Sequence, residues 1–262
     1  MVRETEPDER EIARFYDWLA PEYDQMTALH ERFAQERPFF RILIERHALR
    51  TALDAGCGSG FHSLLLAELG VEVYAADLSA AMVESLGRHA RERGVSVTAI
   101  EASLTSLRGK IPGDLDAVFC MGNTFAHLLS TGERSRVLGE FAAVLRPGGL
   151  LLIQVANFER IMATRQKIQH VREVGEVIYL RTYEYHDPFV GFNVIRLRRG
   201  KGGIAPEVDS VTLLPVYAGE LSALLQASGF ADIRLHGSIA TETFVPETSH
   251  DLVVLAHRRT DQ

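Results

Sequence analysis

Gly56, Gly58 and Gly60 alternate in the stretch Thr51-Ala52-Leu53-Asp54-Ala55-Gly56-Cys57-Gly58-Ser59-Gly60, with one acid, Asp54, just ahead of them and another, Asp77, further on. Glycines so spaced let the backbone turn sharply with positive φ and let a ligand come close without meeting a Cβ. A helix opening near Gly60 would aim unpaired N–H groups and the positive end of its dipole into the same space, which favours an anionic group there. Asp77, about twenty residues beyond the loop, stands where nucleotide-binding α/β proteins hold ribose hydroxyls. These are the means of gripping a nucleoside-like ligand.

Such a loop carries meaning only between the right elements. Thr51-Ala52-Leu53 reads as a short apolar strand leading in and Phe61-His62-Ser63-Leu64-Leu65-Leu66-Ala67 as a helix leading out, the order of strand, turn and helix that the motif requires. Val71 to Ala76 is a second strand, ending in Asp77. Two ligands share this geometry, a dinucleotide and S-adenosylmethionine (SAM). A dinucleotide fingerprint is spaced G-x-G-x-x-G, whereas this loop lacks the second spacer residue. Asp54 would repel a pyrophosphate but tolerate the sulfonium and ammonium charges of SAM. A nicotinamide-dependent oxidoreductase and an unoccupied relic of the loop remain as alternatives.

Asp54-Ala55-Gly56-Cys57-Gly58-Ser59-Gly60 resembles the D-x-G-x-G-x-G first motif of the class I SAM-dependent methyltransferases. The resemblance implies an α/β, Rossmann-like, doubly wound fold: a seven-stranded, mostly parallel sheet with helices on both faces and the cofactor at the carboxyl ends of the strands, where their order reverses. It implies SAM as cofactor, S-adenosylhomocysteine as its product, and cofactor contacts from Asp54, Gly56, Cys57, Gly58, Gly60, Asp77 and Leu78. Ser79 can cap the helix after the second strand, and Met82 on that helix occupies a position that in the family often touches the adenine. Val95 to Ile100 alternates as a third strand and runs into Glu101-Ala102-Ser103-Leu104. Ala102, Ser103 and Leu104 are assigned to the cofactor by the same resemblance. The family often has Asp or Asn where Ser103 stands, and a serine can still accept the adenine hydrogen bond.

The chain of 262 residues is long enough for one α/β domain with an insertion or a small cap. Its 46% hydrophobic and 24% charged content is ordinary for a soluble globular protein. No apolar run reaches the ~20 residues a membrane helix needs, so no membrane partner is expected. The charged opening Met1 to Arg10 lacks the apolar core of a signal peptide. Two cysteines, Cys57 and Cys120, are too few for a disulfide framework and point to a reducing, cytoplasmic setting. A net charge of −7 lowers the expectation of a nucleic-acid partner, because phosphate contacts by basic residues supply most of that affinity. The ten histidines show no paired ligand spacing, so no metal is expected.

Ahead of the glycine loop, residues from Glu9 to about His47 read as two helices, one with Ile12, Phe15, Trp18 and Leu19 on a face and one with Phe39, Phe40, Leu43 and Ile44. Pro21 breaks the first, and Pro38 falls near the start of the second's apolar stripe. Ala20-Pro21-Glu22-Tyr23-Asp24-Gln25-Met26 resembles the A-x-x-Y-D-x-M stretch of many small-molecule methyltransferases, whose N-terminal helices fold over SAM as a lid. The resemblance makes Tyr23 both a cofactor contact and a catalytic candidate, with its hydroxyl near the methyl group. The bland alternative is a helix-capping Asp24 beside a packed tyrosine. Arg32 could reach the SAM carboxylate; Arg37 reads as surface.

Leu115 to Cys120 is a fourth strand, and the segment after it, Met121-Gly122-Asn123-Thr124-Phe125-Ala126-His127-Leu128, resembles the L-G-N-S-F-A-H-L of glycine N-methyltransferases and bacterial glycine/sarcosine methyltransferases. Asn123 would then bind substrate, His127 would lie against the SAM carboxylate or the substrate, and Met121 would touch the cofactor. Without the resemblance, Asn123 is a turn residue that accepts positive φ and His127 a packing histidine. Helix Glu133 to Leu145 is expected to stop at Pro147, with Gly148-Gly149 turning the chain into a fifth strand, Leu150 to Val155.

Asn157-Phe158-Glu159-Arg160-Ile161 resembles the N-Y-D-x-I that follows this strand in glycine N-methyltransferases. Beyond it the pattern changes to strands without helices: Val177 to Tyr185 and Phe192 to Leu197, joined by a turn at His186 to Gly191, then Val208 to Leu214. Arg181, Tyr183 and Tyr185 share one face of their strand; an anionic substrate could meet it, but the reading preferred is a solvated outer face. Helix Glu220 to Ser228 and an antiparallel pair, Ala231 to Leu235 and Leu252 to His257, finish the chain. The organisation expected is lid helices over 1–48, a SAM-binding core over 49–156 and 217–262, and a substrate-side antiparallel insertion over 157–216. The activity expected is methyl transfer to a small molecule, foremost the nitrogen of an amine or amino acid. Transfer to oxygen or carbon, and a non-catalytic SAM-binding module, stay open, as does the oligomeric state.

Overall fold

The computed structural model of the chain describes residues 9–200, 202–239 and 242–260; the opening residues 1–8, in which no signal peptide was read, lie outside them. The N-terminal region is divided more finely than two helices. It comprises α1 (Glu9–Leu19), a 3-10 turn (Ala20–Glu22), α2 (Tyr23–Thr27) and α3 (Leu29–His47). α1 buries Ile12, Phe15 and Leu19, the spacing of one helical face. Pro21 sits in the first turn of the 3-10 segment, where its missing N–H costs nothing. Pro38 lies inside α3, which continues through it unbroken.

The core alternates as expected: β1 (Thr51–Ala55), α4 (Phe61–Glu68), β2 (Glu72–Asp77), α5 (Ala80–Arg93), β3 (Thr98–Glu101), β4 (Leu115–Cys120), α6 (Thr131–Val144) and β5 (Leu145–Ala156). After the insertion come α8 (Ala218–Ala227), β10 (Phe230–His236) and β11 (Asp251–Arg258). The seven strands are ordered β10-β11-β5-β4-β1-β2-β3, with β11 antiparallel to both neighbours and the remaining pairs parallel. The central strands are nearly continuous apolar runs, buried on both faces, as a parallel sheet covered by helices requires. Chain order reverses between β1 and β4, so a crevice opens at their carboxyl ends.

α6 ends at Val144 and β5 begins at once with Leu145, so Pro147 does not stop the helix. It lies with Gly148 in the irregular start of β5, where the register against β4 shifts. A Cβ on Gly149 would stand 2.9 Å from the Arg146 carbonyl oxygen; the glycine is needed for close approach rather than for ending a helix.

The insertion holds α7 (Phe158–Thr164) and four antiparallel strands rather than three: β6 (Ile168–Val174), β7 (Val177–His186), β8 (Phe189–Gly200) and β9 (Gly203–Leu213), paired in that order. The β7–β8 turn shrinks to Asp187-Pro188, since both strands run further than their apolar alternation suggests. The face bearing Arg181, Tyr183 and Tyr185 turns inward, against the solvated reading. Tyr183 stacks on Phe158 at 6.4 Å and meets Phe192 edge-on at 5.8 Å. The lid lies between the two sheets. Arg196 covers the Trp18 ring at 3.7 Å and pairs with Glu22 at 3.2 Å, and Arg14 pairs with Asp209 at 2.7 Å. No described helix is long and apolar enough to cross a membrane.

Candidate active site

The glycine loop forms the floor of a cleft at the carboxyl ends of β1, β2 and β4. Gly56 and Cys57 donate to the Ala76 carbonyl at 2.8 and 3.1 Å, and Gly60 donates to the Cys57 carbonyl at 3.0 Å. All three glycines have positive φ, but only one is open to a ligand. A Cβ on Gly56 would collide with Thr124 and one on Gly60 with Leu86, whereas Gly58 faces the Tyr23 ring at 3.6 Å. Gly56 and Gly60 are therefore fixed by packing, and Gly58 by access.

Asp77 ends β2 with both carboxylate oxygens held by backbone: Oδ2 accepts from Gly58 N–H at 2.8 Å and Oδ1 from Ser79 N–H at 2.9 Å. Burial nonetheless pushes its pKa up to about 6, against the pull of those bonds. Arg32 lies over the Phe61 ring at 4.1 Å and donates through Nε to Glu36 at 2.9 Å; Glu36 also meets His62 Nε2 at 3.2 Å. Burial would raise the Glu36 pKa, but His62 and Arg32 hold it below its ordinary value. An ionised Glu36 thus fixes the guanidinium at the cleft wall.

Side chains of the lid are bonded to each loop of the floor. Tyr16 O–H and His127 Nε2 are 2.8 Å apart. Asp17 accepts from the Ser79 hydroxyl at 2.6 Å, and Glu9 from the Ser103 hydroxyl at 2.5 Å. Asp24 accepts from the Ser59 hydroxyl at 2.5 Å and from His89 Nε2 at 3.1 Å, so it ties the lid to the floor instead of capping a helix. His89 Nδ1 lies 3.0 Å from the Ser59 carbonyl. With acceptors at both ring nitrogens its pKa is raised, chiefly by the bond to Asp24. His127 is the opposite case: burial lowers it to about 4, so its ring is neutral, and Nδ1 has no protein partner.

Of the residues assigned from the sequence, Tyr23, Arg32, Gly56, Cys57, Gly58 and Asp77 line the cleft, as do Leu78, Ser103, Leu104, Met121 and His127. Asp54, Gly60, Met82, Ala102 and Asn123 are not on its wall. Asp54 accepts from the Ser63 hydroxyl at 2.6 Å, its pKa raised by burial. Met82 is fully buried, and Ala102 is buried behind the loop. Asn123 adopts φ +73° and accepts from Ala156 N–H at 3.1 Å, which joins the ends of β4 and β5. Arg37 pairs with Glu68 at 2.6 Å. Both cysteines are buried and unpaired. No cluster of metal-ligating side chains occurs among the described residues.

Tyr16 emerges only from the structure: it stands outside the apolar stripe of Ile12, Phe15, Trp18 and Leu19, and nothing in the sequence singles it out. Arg181, the less favoured anion contact of the sequence reading, is the other residue the structure brings forward. Arg181 sits on the face of β7 that turns toward the lid. Its Nε is buried with no hydrogen-bond partner, and burial lowers its pKa, with Tyr23 and Tyr183 the nearest groups opposing that shift.

Three features of the cleft are compatible with the SAM expected from the sequence: a glycine at 58 facing only the Tyr23 ring, the part-buried carboxylate of Asp77, and the braced guanidinium of Arg32. Residues 52–149 match the family described as "Methyltransferase domain". The chain is 30% identical over 238 residues to a glycine/sarcosine N-methyltransferase of Parasynechococcus marenigrum, covering 90% of this chain and 81% of that protein. It is 29% identical to one of Aphanothece halophytica, covering 85% and 82%. A SAM-dependent methyltransferase of Clostridium acetobutylicum shares the fold with a TM-score of 0.78 at 14% identity, over 93% of this chain and 99% of that one. A sugar N-methyltransferase of Streptoalloteichus does so with a TM-score of 0.72 at 21% identity, over 90% and 92%.

Proposed function

Because this chain belongs to the class I SAM-dependent methyltransferases, we propose that it methylates the nitrogen of a small acceptor carrying both an amine and a carboxylate. The observation that carries the reading is Arg181. A guanidinium remains charged at any physiological pH, and the part-buried one of Arg181, its Nε buried without a partner, favours an anion beside it, although Arg181 is not itself among the residues on the cleft wall. An amino-acid carboxylate is such an anion. The names of the relatives, glycine/sarcosine N-methyltransferases, support the same class.

Bound SAM supplies a methyl group on a sulfonium sulfur, a charge that disappears on transfer. The chain's own task is mostly orientation and exclusion of water, which can lower a barrier by several kcal/mol. Asp77 would accept from the ribose hydroxyls and Arg32 would hold the cofactor carboxylate, with Tyr16 and Tyr23 over them as a roof. The attacking nitrogen must be neutral. His127, itself neutral and paired at Nε2 with Tyr16, would orient the already neutral amine by a hydrogen bond at Nδ1 in the tautomer whose Nε2–H donates to Tyr16. With a pKa of about 4 it does not hold the proton, which the amine gives to solvent before transfer. Asn123 contributes by fixing the loop that carries His127 rather than through a place on the wall. The acid balance and the two unpaired cysteines support a cytoplasmic enzyme without a nucleic-acid substrate.

The test is S-adenosylhomocysteine release by the purified protein with a panel of amino acids, the matching decarboxylated amines, hydroxy acids and bulk tRNA. Turnover on an amino acid, absent for its decarboxylated amine, is the expected result. Turnover confined to hydroxy acids or tRNA would overturn it.

A further inference from the structure

The inner face of the four-stranded sheet is spent on the lid and the cleft; the outer face is not. Strand register sets Val171, Leu180, Ile195 and Val208 in one row across all four strands. The next row holds Ile178, Leu197 and Pro206 beside Glu173. Strand alternation puts both rows on the face away from the buried Tyr179, Val194 and Arg196. Val171 is 56% and Val208 65% exposed. The four central side chains, Ile178, Leu180, Ile195 and Leu197, are part-exposed and belong to none of the apolar clusters of the core or lid. Polar rows bound the patch. Thr182, Asn193 and Ser210 lie on one side, and the Arg199–Glu173 pair at 2.6 Å on the other.

We propose that this face is the dimer interface of the protein, and that its occupant is the same face of a second copy. Three features favour a second copy over a foreign partner. The one charge in these rows, Glu173, is already paired with Arg199, so none is left to select a complementary protein. For a chain of net charge −7, a neutral face is where two copies can meet with least repulsion. The rows are also self-complementary: a twofold axis along the strands sets β6 of one copy over β9 of the other, bringing Val171 above Val208 and Leu180 above Ile195. Strands of 7, 10, 12 and 11 residues, about 4.8 Å apart and rising ~3.4 Å per residue, offer about 650 Å² per copy over the whole face, polar rows included, somewhat below the ~800 Å² per partner of a standard stable interface. An apolar centre with a polar rim is the usual anatomy of such contacts, and facing sheets pack about 10 Å apart.

The experiment is sedimentation equilibrium of the full chain across micromolar concentrations. The mass of two chains is expected. Ile195→Glu, at the centre of the face, should reduce it to the mass of one while leaving SAM binding intact. Ile42→Glu, at a more exposed apolar site on α3, should leave the dimer unchanged. Should Ile195→Glu not fold, treating a mixture of Val171→Cys and Val208→Cys proteins with a short bismaleimide that spans the ~10 Å between packed sheets provides a second measurement, since the proposed axis predicts cross-linked heterodimers. A wild-type monomer would overturn the proposal. So would a dimer that survives Ile195→Glu, which would indicate pairing through the open edges of β6 or β9, and so would failure of the two cysteines to cross-link.

Discussion

Tyr16 of the lid and His127 of the loop after β4 meet at 2.8 Å across the cleft, both buried. Burial pushes the two pKa values in opposite directions, the phenol well above its ordinary range and the imidazole down to about 4. Both groups therefore stay neutral throughout the physiological range. The bond fixes His127 Nε2 and leaves Nδ1 without a protein partner.

Tyr16→Phe should remove that bond without opening space. His127 would then be left buried with no partner on either nitrogen, a cost of about 1–3 kcal/mol. We expect kcat to fall by roughly 10-fold or more, because ~1.4 kcal/mol corresponds to one decade, while the SAM dissociation constant changes little. Steady-state kinetics at saturating SAM, with calorimetric titration of SAM, separates the two. Unchanged kcat would reduce the pair to lid packing.

The raised pKa of Asp77 predicts a pH dependence with a definite sign. A carboxyl whose folded pKa is about 6, against an ordinary ~3.9, contributes stability below the lower value and loses it as pH rises through the upper one. The ligand-free protein should therefore lose stability between about pH 4 and 6. Ribose hydroxyls stabilise the ionised form, so SAM should bind with proton release near pH 6 and more weakly below it. Titrations in two buffers of different ionisation heat would show the proton. Asp77→Ala should weaken SAM by about 1.5–3 kcal/mol, the worth of charge-assisted hydrogen bonds, and Asp77→Asn should abolish the pH step. Affinity flat from pH 5 to pH 8 in the wild type would contradict the assignment.

The Asp24–His89 tie has two titration limits. The Asp24 pKa is lowered, its bonds to His89 and Ser59 outweighing burial, so its contribution is lost as pH falls through that depressed value. The His89 pKa is raised, mainly by Asp24, so its contribution is full below the ordinary ~6.5 and lost as pH rises through the raised value. The lid is held most firmly between these limits. His89→Ala should lower the thermal midpoint most in mildly acidic buffer and progressively less as the pH becomes alkaline. A midpoint difference constant with pH would show that His89 acts through packing alone.

The parts legible in sequence were those governed by local rules. Strand–glycine–helix order, Asp77 at a strand end and the Ser79 cap needed only neighbouring residues, and the structure has them where the sequence sets them. Pro147 misled because a proline after a helix is commonly its stop signal, whereas here α6 had already ended at Val144. The Arg181–Tyr183 face misled for a different reason. Alternation tells which side chains share a face but not which face is covered, and what covers this one, the lid, is more than 150 positions away in sequence. Gly56 and Gly60 have a long-range cause as well: their absent Cβ atoms make room for Thr124 and Leu86, contacts no local pattern contains.

Arg181→Met offers the sharpest test because its two expected effects oppose each other. Removing a part-buried guanidinium with an unpartnered Nε in favour of an apolar chain of similar length relieves a desolvation cost, so the unliganded protein should keep or raise its thermal midpoint. The anionic end of the acceptor loses its partner at the same time. Charge-assisted hydrogen bonds are worth about 1.5–3 kcal/mol, so KM for a carboxylated acceptor should rise by roughly 10-fold to 100-fold, with SAM affinity unchanged. Arg181→Lys keeps the charge but not the fork and should recover part of the loss. A structural arginine would behave differently, with the midpoint falling in Arg181→Met and KM following it only through loss of folded protein. Stability and acceptor KM measured on the same preparations therefore distinguish a binding group from a packing one.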